Sequence, residues 1–321
     1  MKLALVGTGM IVKEVLPVLK TIEGITLEMI VSTARSLNIA KDLSEKYGIK
    51  QNTSNYQEAL ASKEVDTVYI AVPNHLHFTF AKEALLANKH VICEKPFTMT
   101  AKELEELSQL ANERQLILLE AITNQYLKNY DEIKELLPKL GEIKIINCNF
   151  SQYSSRYDAF KNGEIAPVFD PEKGGGALRD LNIYNIHFVV GLFGLPKSVQ
   201  YLANIEKGVD TSGILLLDYQ TFKVSCIGSK DSSAAIKTTI QGNKGYLDVN
   251  GATSIIPSIA LTLNGEETRV INNNPNQPRL WSEFVAFEEI IRLKDLKEAK
   301  KRLNHSQRVM TVLDQALATM V

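Results

Sequence analysis

Cysteine is scarce here. Three residues in 321, Cys93, Cys148 and Cys226, are too few and too scattered for a disulfide framework, and they form no metal-ligand spacing. Their odd number suits a reducing cytoplasm, and no metal site is expected. One-sided charge is also missing. Lys and Arg number 36 against 37 Asp and Glu, leaving a formal net charge of −1 and no polybasic run. That balance provides no field to gather nucleic acid or anionic lipid. The apolar run at 188–195 ends at Gly191-Leu192-Phe193-Gly194, well short of the ~18–20 residues of a membrane span. The segment Leu3–Val6 is likewise shorter than the roughly 7–15 apolar residues of a signal peptide. Repeats and low-complexity stretches are absent. What remains is an ordinary globular chain, 45% apolar and 23% charged, whose length suits two cores better than one.

The first third has a regular rhythm. Apolar runs at 2–6, 27–31, 67–72, 90–93 and 116–119 alternate with helical periodicity at 11–20, 36–47 and 76–88, and a further helix opens at Thr100. Thr100 and Glu103 stand at the spacing of a capping box, and Gly48 closes the second helix. Strands that are apolar on nearly every residue, alternating with helices, predict a parallel sheet covered on both faces. The pattern changes after about residue 122. A helix to Leu140, a strand at 142–152, a polar loop at 153–175 and a helix at 176–193 follow. Several strand-like runs with turn signals, Gly242-Asn243-Lys244-Gly245 and Asn264-Gly265 among them, occupy 198–271. Helices at 280–298 and 305–320 end the chain. The expected fold is therefore α/β: a doubly wound Rossmann domain over 1–122, and an α+β domain with a largely antiparallel open sheet over 123–321.

Gly7-Thr8-Gly9-Met10-Ile11-Val12 lies between the first strand and the first helix. In a dinucleotide-binding turn the first glycine permits the bend, and the second lets backbone N–H groups approach a pyrophosphate at the helix N-terminus. Val12 stands where a third glycine is usual. Pro73 follows the third strand at an equivalent position. At the end of the second strand, such folds place an acid to bond a ribose 2′-hydroxyl. This chain has Ser32-Thr33-Ala34-Arg35-Ser36 instead. A guanidinium suits the 2′-phosphate of NADP, so NADP(H) is the expected cofactor and NAD(H) the alternative.

Four motifs in order carry a resemblance: the glycine turn, Asn74 with His77, Glu94-Lys95-Pro96, and Gly174-Gly175-Gly176-Ala177-Leu178-Arg179-Asp180. Together they make the chain similar to the glucose–fructose oxidoreductase/inositol dehydrogenase (Gfo/Idh/MocA) family. Asp180-Leu181-Asn182-Ile183-Tyr184 resembles the branch of dimeric dihydrodiol dehydrogenases, where Tyr ends a motif that otherwise ends in His; Asn182 replaces the usual glycine. The resemblance implies that Lys95 contacts both cofactor and substrate. It further implies that Asn74, His77 and Glu94 lie near the cofactor, that Pro96 follows a cis peptide, and that the helix bearing Asp180 and Tyr184 faces the nicotinamide. On a regular helix Asp180, Tyr184 and His187 share one face.

Hydride transfer at a carbon bearing oxygen also requires a proton to move at that oxygen. A phenol titrates near 10 in water, and an adjacent ammonium favours its ionised form. Tyr184 is accordingly expected as general acid/base and Lys95 as its electrostatic partner and substrate anchor, with the reverse assignment open. Asp180 would hold Lys95 or a second substrate hydroxyl. His187 is a further candidate for substrate binding, and Cys93 reads as a buried strand residue. Arg156, within Tyr153-Ser154-Ser155-Arg156-Tyr157-Asp158, belongs to a loop that in the family roofs the substrate; its hydroxyls, guanidinium and phenols suit a sugar, cyclitol or diol. Near-continuous apolar strands such as Ile214–Leu217 imply a second sheet face covered by subunit association, in a homodimer or a dimer of dimers. The alternative to a CH–OH oxidoreductase is a NAD(P)-sensing regulatory protein on the same fold. Turnover of NADPH against carbonyl compounds distinguishes them.

Overall fold

Mostly apolar strands build the first sheet of the computed structural model, which describes residues 1–320. In the first unit β1 (Lys2–Val6), α1 (Met10–Leu19), β2 (Thr26–Val31), α2 (Leu37–Tyr47), β3 (Gln51–Thr53) and α3 (Tyr56–Ala61) come first. They lead into β4 (Thr67–Ile70), α4 (His77–Leu86), β5 (His90–Glu94), α5 (Ala101–Glu113) and β6 (Leu118–Ala121). The six strands are all parallel, in the order β3-β2-β1-β4-β5-β6. β4 and β6 are buried throughout, as a sheet covered on both faces requires. The strand order reverses between β1 and β4, so their carboxyl ends frame the crevice where such sheets bind ligands.

Two elements escaped the periodic reading. β3 is three polar residues at the sheet edge, and α3 is six residues long. Neither is long enough to show a period. The capping box, by contrast, forms as expected. The Thr100 hydroxyl accepts from the Glu103 N–H at 3.2 Å, and the Glu103 carboxylate accepts from the Thr100 N–H at 3.2 Å.

The second unit holds α6 (Lys128–Leu136), β7 (Ile143–Ser151), α7 (Tyr157–Lys161), α8 (Ile183–Phe193), β8 (Ser198–Glu206), β9 (Val209–Asp218) and β10 (Lys223–Ser229). It continues through β11 (Lys237–Gly242), β12 (Gly245–Asn250), β13 (Ile259–Leu263) and β14 (Arg269–Ile271). Its eight strands run β14-β13-β12-β11-β7-β10-β9-β8. Only β7 and β10 pair in parallel; the other neighbours are antiparallel. One face is core and the other open. Leu215 and Leu217 of β9 are buried, whereas Ile214 and Leu216 are 41% and 39% exposed. Leu202 of β8, 42% exposed, is the register partner of Ile214.

The final helices, α9 (Trp281–Leu293) and α10 (Leu296–Ala318), are separated at Lys294, whose φ is +51°. They do not both follow the second domain, as a single boundary near 122 would have them. Residues 277–307 pack with 1–121, while 308–320 go with 122–276. The Phe284 ring meets Tyr69 of β4 edge-on at 5.3 Å, and Arg279 forms a two-pronged pair with Glu14 of α1 at 3.0 and 3.1 Å. Nothing in a helical period announces which sheet its apolar face will cover. No helix among the described residues is long and apolar enough to cross a membrane.

Candidate functional site

Only Gly7, Thr8 and Gly9 separate β1 from α1. Gly7 has φ +123°, and a Cβ there would lie 2.3 Å from the Ala71 carbonyl oxygen, so both backbone angle and space demand glycine. Its N–H donates to Val31 at 2.8 Å, tying the turn to β2. Gly9 caps α1 without a side-chain bond, the first turn carries no acid, and a Cβ on Gly9 would meet nothing within 4 Å. The helix therefore begins with its positive dipole end uncapped in open space, which fits a pyrophosphate. Ile11 is half-buried and Met10 is exposed. Val12, in place of the third glycine, is fully buried between helix and sheet.

A cleft of about 540 Å³ opens at the carboxyl ends of β1, β2 and β4, lined by the glycine turn, Ser32, Thr33, Ser36, Ala71, Val72 and Pro73. Thr33 and Ser36 hydroxyls lie 2.8 Å apart at the end of β2, where no carboxylate stands. Arg35, in the intervening turn, is exposed. Hydroxyls, a guanidinium and no acid fit an adenosine 2′-phosphate better than a free 2′-hydroxyl. Tyr56 and Phe80 also line the cleft, with ring centroids 4.7 Å apart and the Tyr56 phenol donating to the Phe80 carbonyl at 2.9 Å. Sequence reasoning missed both: Tyr56 because α3 itself was missed, and Phe80 because a helical period does not show which side chain turns toward the cleft.

The loops after β4 and β5 are joined by His77. Its Nδ1 lies 2.9 Å from the Pro96 carbonyl and its Nε2 2.9 Å from that of Val72. Burial pushes its pKa down while the two carbonyls act in the other direction. Expected as a cofactor contact, the fully buried His77 instead fixes one loop against the other. Asn74 opens the short turn that precedes it. Lys95 is half-buried and leads into a cis peptide at Pro96. Glu94, also expected beside the cofactor, accepts a 2.5 Å bond from the Tyr69 phenol, and burial raises its carboxyl pKa. Glu283 of α9 is 2% exposed and titrates well above the ordinary range, first through burial and then through the charge of Glu94. Cys93 is fully buried and its thiol is pushed well up by burial, so it is no nucleophile.

In the second unit the glycine triplet is explained by what it approaches. A Cβ on Gly176, whose φ is +120°, would stand 1.9 Å from a carboxylate oxygen of Asp210. That carboxylate accepts from the Leu178 N–H at 2.7 Å and from the Tyr201 phenol at 2.7 Å, pinning the start of the helix. Leu178–Asn182 then form a π-helical turn before α8. Asn182, replacing the usual glycine, keeps an ordinary helical φ of −69° and donates to the Cys226 carbonyl at 3.0 Å. It is the last residue of the π turn.

The π turn shifts Asp180 relative to the residues of α8, since i→i+5 bonding inserts a residue relative to an α-helix. Asp180 and Tyr184 are half-buried, whereas His187 is wholly buried. The Tyr184 ring lies 6.1 Å from that of Phe150. Carbonyls of Tyr184, His187 and Phe188 accept from Asn124, Gln125 and Tyr130, which sequence reasoning did not single out. Asp180 has a cation within its own unit: Lys230 Nζ lies 2.9 Å from Oδ2. In the 153–158 loop Arg156 is half-buried, but the phenols have internal roles. Tyr157 packs with Phe160 and Phe169 and donates to Glu206 at 2.5 Å, a bond that helps push its pKa up to about 12. Tyr153 donates to Asp158 at 2.8 Å.

Residues 1–122 match the oxidoreductase family with an NAD-binding Rossmann fold, and residues 130–248 match the GFO/IDH/MocA C-terminal domain. The chain is 36% identical over 252 residues to the scyllo-inositol 2-dehydrogenase (NADP(+)) IolU of Bacillus subtilis, covering 78% of this chain and 76% of that one. It is 27% identical to the trans-1,2-dihydrobenzene-1,2-diol dehydrogenase of Xenopus laevis, with 98% and 97% covered. The structure of KijD10, a 3-ketoreductase from Actinomadura kijaniata in complex with NADP and TDP-benzene, superposes with a TM-score of 0.87 over 99% of this chain and 97% of that one. At 22% identity that likeness concerns the fold.

Proposed function

The chain belongs to the Gfo/Idh/MocA family of NAD(P)-binding oxidoreductases, and on that premise we propose that it moves a hydride between NADP(H) and a carbinol or carbonyl carbon of a cyclitol, sugar or diol. The acid-free, hydroxyl-lined end of β2 beside Arg35 carries the cofactor preference. The 36% identical relative is named for NADP and for an inositol, which supports the same reading.

When bound, the nicotinamide supplies or accepts the hydride. Gly7, Thr8, Gly9, Met10 and Ile11 would hold the pyrophosphate, Arg35 the 2′-phosphate, and Pro73 and Asn74 the wall of the cleft beyond them. Lys95 anchors the substrate oxygen from the first unit; in the second, the Tyr184 phenol takes the hydroxyl proton in oxidation and returns it in reduction. Asp180 accepts a second substrate hydroxyl; Arg156 adds a donor from its loop. His77 and Glu94 position the loops that carry Asn74 and Lys95. The three buried, unbridged thiols suit a reducing cytoplasm, and the row of exposed apolar residues on the second sheet suits a homodimer or dimer of dimers.

A spectrophotometric panel tests the chemistry. NADP⁺ and NAD⁺ are each offered scyllo-inositol, myo-inositol, aldoses and 1,2-diols, and NADPH and NADH the corresponding carbonyl compounds. Turnover with at least one polyhydroxylated compound, faster with the phosphorylated cofactor, is expected. Tight NADPH binding with no turnover anywhere in the panel would replace the enzyme with a cofactor sensor.

A further inference from the structure

We infer that Lys230 is the positioning residue of Asp180: its buried ammonium fixes one carboxylate oxygen and thereby orients the acid toward the substrate. Lys230 is 2% exposed, whereas the Asp180 side chain is 30% exposed. Nζ lies 2.9 Å from Asp180 Oδ2 and donates to the Val168 carbonyl at 2.5 Å, and it stands 4.2 Å from the centroid of Phe169. A carbonyl oxygen and an aromatic face both stabilise a cation removed from water. The charge is thus held from three directions, and Asp180 is the partner that also reaches solvent.

The backbone around Lys230 is equally constrained. Its N–H donates to Thr211 of β9 at 2.8 Å, and its carbonyl accepts from Ser154 at 2.8 Å. The next residue, Asp231, accepts hydroxyl bonds from Thr211, Ser212, Ser229 and Ser232 at 2.7 to 3.0 Å. Burial acts to raise the Asp231 pKa, but these donors together hold it below the ordinary value. With its side chain 2% exposed and its Nζ also bonded to the Val168 carbonyl, Lys230 holds the ammonium in place and the carboxylate is fixed against it. Asp210 anchors the same turn at Leu178, so the helix start and its acid are set by neighbouring but separate contacts. Removing one member of a buried pair leaves the other without its counter-charge, so the geometry of Asp180 depends on Lys230.

This inference rests on Asp180 acting on substrate, and a double-mutant cycle separates the two claims. Lys230→Met, Asp180→Asn and the double variant are assayed with the panel compound of highest turnover, alongside NADPH titration and thermal melting. Lys230→Met is expected to lower kcat about 10- to 100-fold with NADPH affinity within twofold of the parent. The double variant should match Asp180→Asn within about twofold, because a positioning residue has nothing to position once the acid is gone. Multiplicative losses, or parental kcat in Lys230→Met beside a crippled Asp180→Asn, would overturn the role of Lys230 alone. Parental kcat in Asp180→Asn would overturn the assignment of Asp180 and the inference with it, as would a panel with no turnover. Should the methionine variant not fold, Lys230→Gln, which keeps an N–H donor, is read in the same cycle.

Discussion

The two sheets solve the problem of burial differently. In the parallel sheet most strand residues are covered, β4 and β6 completely so, and the open cleft lies at the strand ends, lined by Gly7, Thr33 and Ser36. In the mixed sheet alternate residues of β8 and β9 face outward, leaving Leu202, Ile214 and Leu216 bare on one side. The other side carries a helix that begins in a π turn and is fastened by Asp210, Asn124, Gln125 and Tyr130. Backbone geometry makes the first site and side-chain networks make the second. That contrast predicts that substitutions in the glycine turn and the 32–36 segment change cofactor affinity, while those at Asp180 and Tyr184 change the rate of the chemical step.

The sharpest test of this division is Tyr184→Phe, which keeps the ring against Phe150 and removes only the hydroxyl. Steady-state assays should show kcat lower by about 10²–10⁴, the usual contribution of a placed acid/base, with NADPH affinity unchanged. His187→Ala should cost less than about tenfold in kcat; a larger loss there, with Tyr184→Phe near parental, would move the proton to the imidazole. On the other side of the comparison, Arg35→Ala removes a charge-assisted bond worth roughly 1.5–3 kcal/mol and should weaken NADPH about tenfold or more. NADH affinity should hardly change in the same fluorescence titration. Equal losses for both cofactors would make Arg35 a bystander.

The open face is tested by Ile214→Lys, which puts a charge in the bare row without touching the core. Sedimentation at micromolar concentration should show a dimer or tetramer in the parent and a smaller species in the variant; a monomeric parent refutes the association outright. The smallest effect expected is thermal. Glu283 titrates above its ordinary value in the folded chain, so the folded state holds a proton that the unfolded state releases. The stability that proton confers is complete below the unfolded pKa and is lost as pH rises through the folded one. Glu283→Gln cannot ionise. Its melting temperature should match the parent near pH 5 and exceed it by a few degrees near pH 9. A constant difference across that range would mean that Glu283 does not titrate there.

Local chemistry was legible in the residues themselves. The Gly7–Gly9 turn, the largely apolar strands of the first sheet, the Thr100–Glu103 cap and the hydroxyl-rich, acid-free segment 32–36 are each contained within a few consecutive positions. A few consecutive positions suffice to set φ, ψ and periodicity. Contacts between distant segments were not legible. That His77 would lie between the carbonyls of Val72 and Pro96, that 277–307 would join the first unit, and that Lys230 would meet Asp180 all depend on strands and loops far apart in sequence being brought into register. The π turn at 178–182 belongs with these, because the contacts holding it come from Asp210, Cys226 and Asn124 rather than from its own residues. Sequence alone determined which segments could make a tight glycine turn and which could be buried. Tertiary structure decided which polar groups face one another, because burying a charge is tolerable only where another part of the chain supplies its partner.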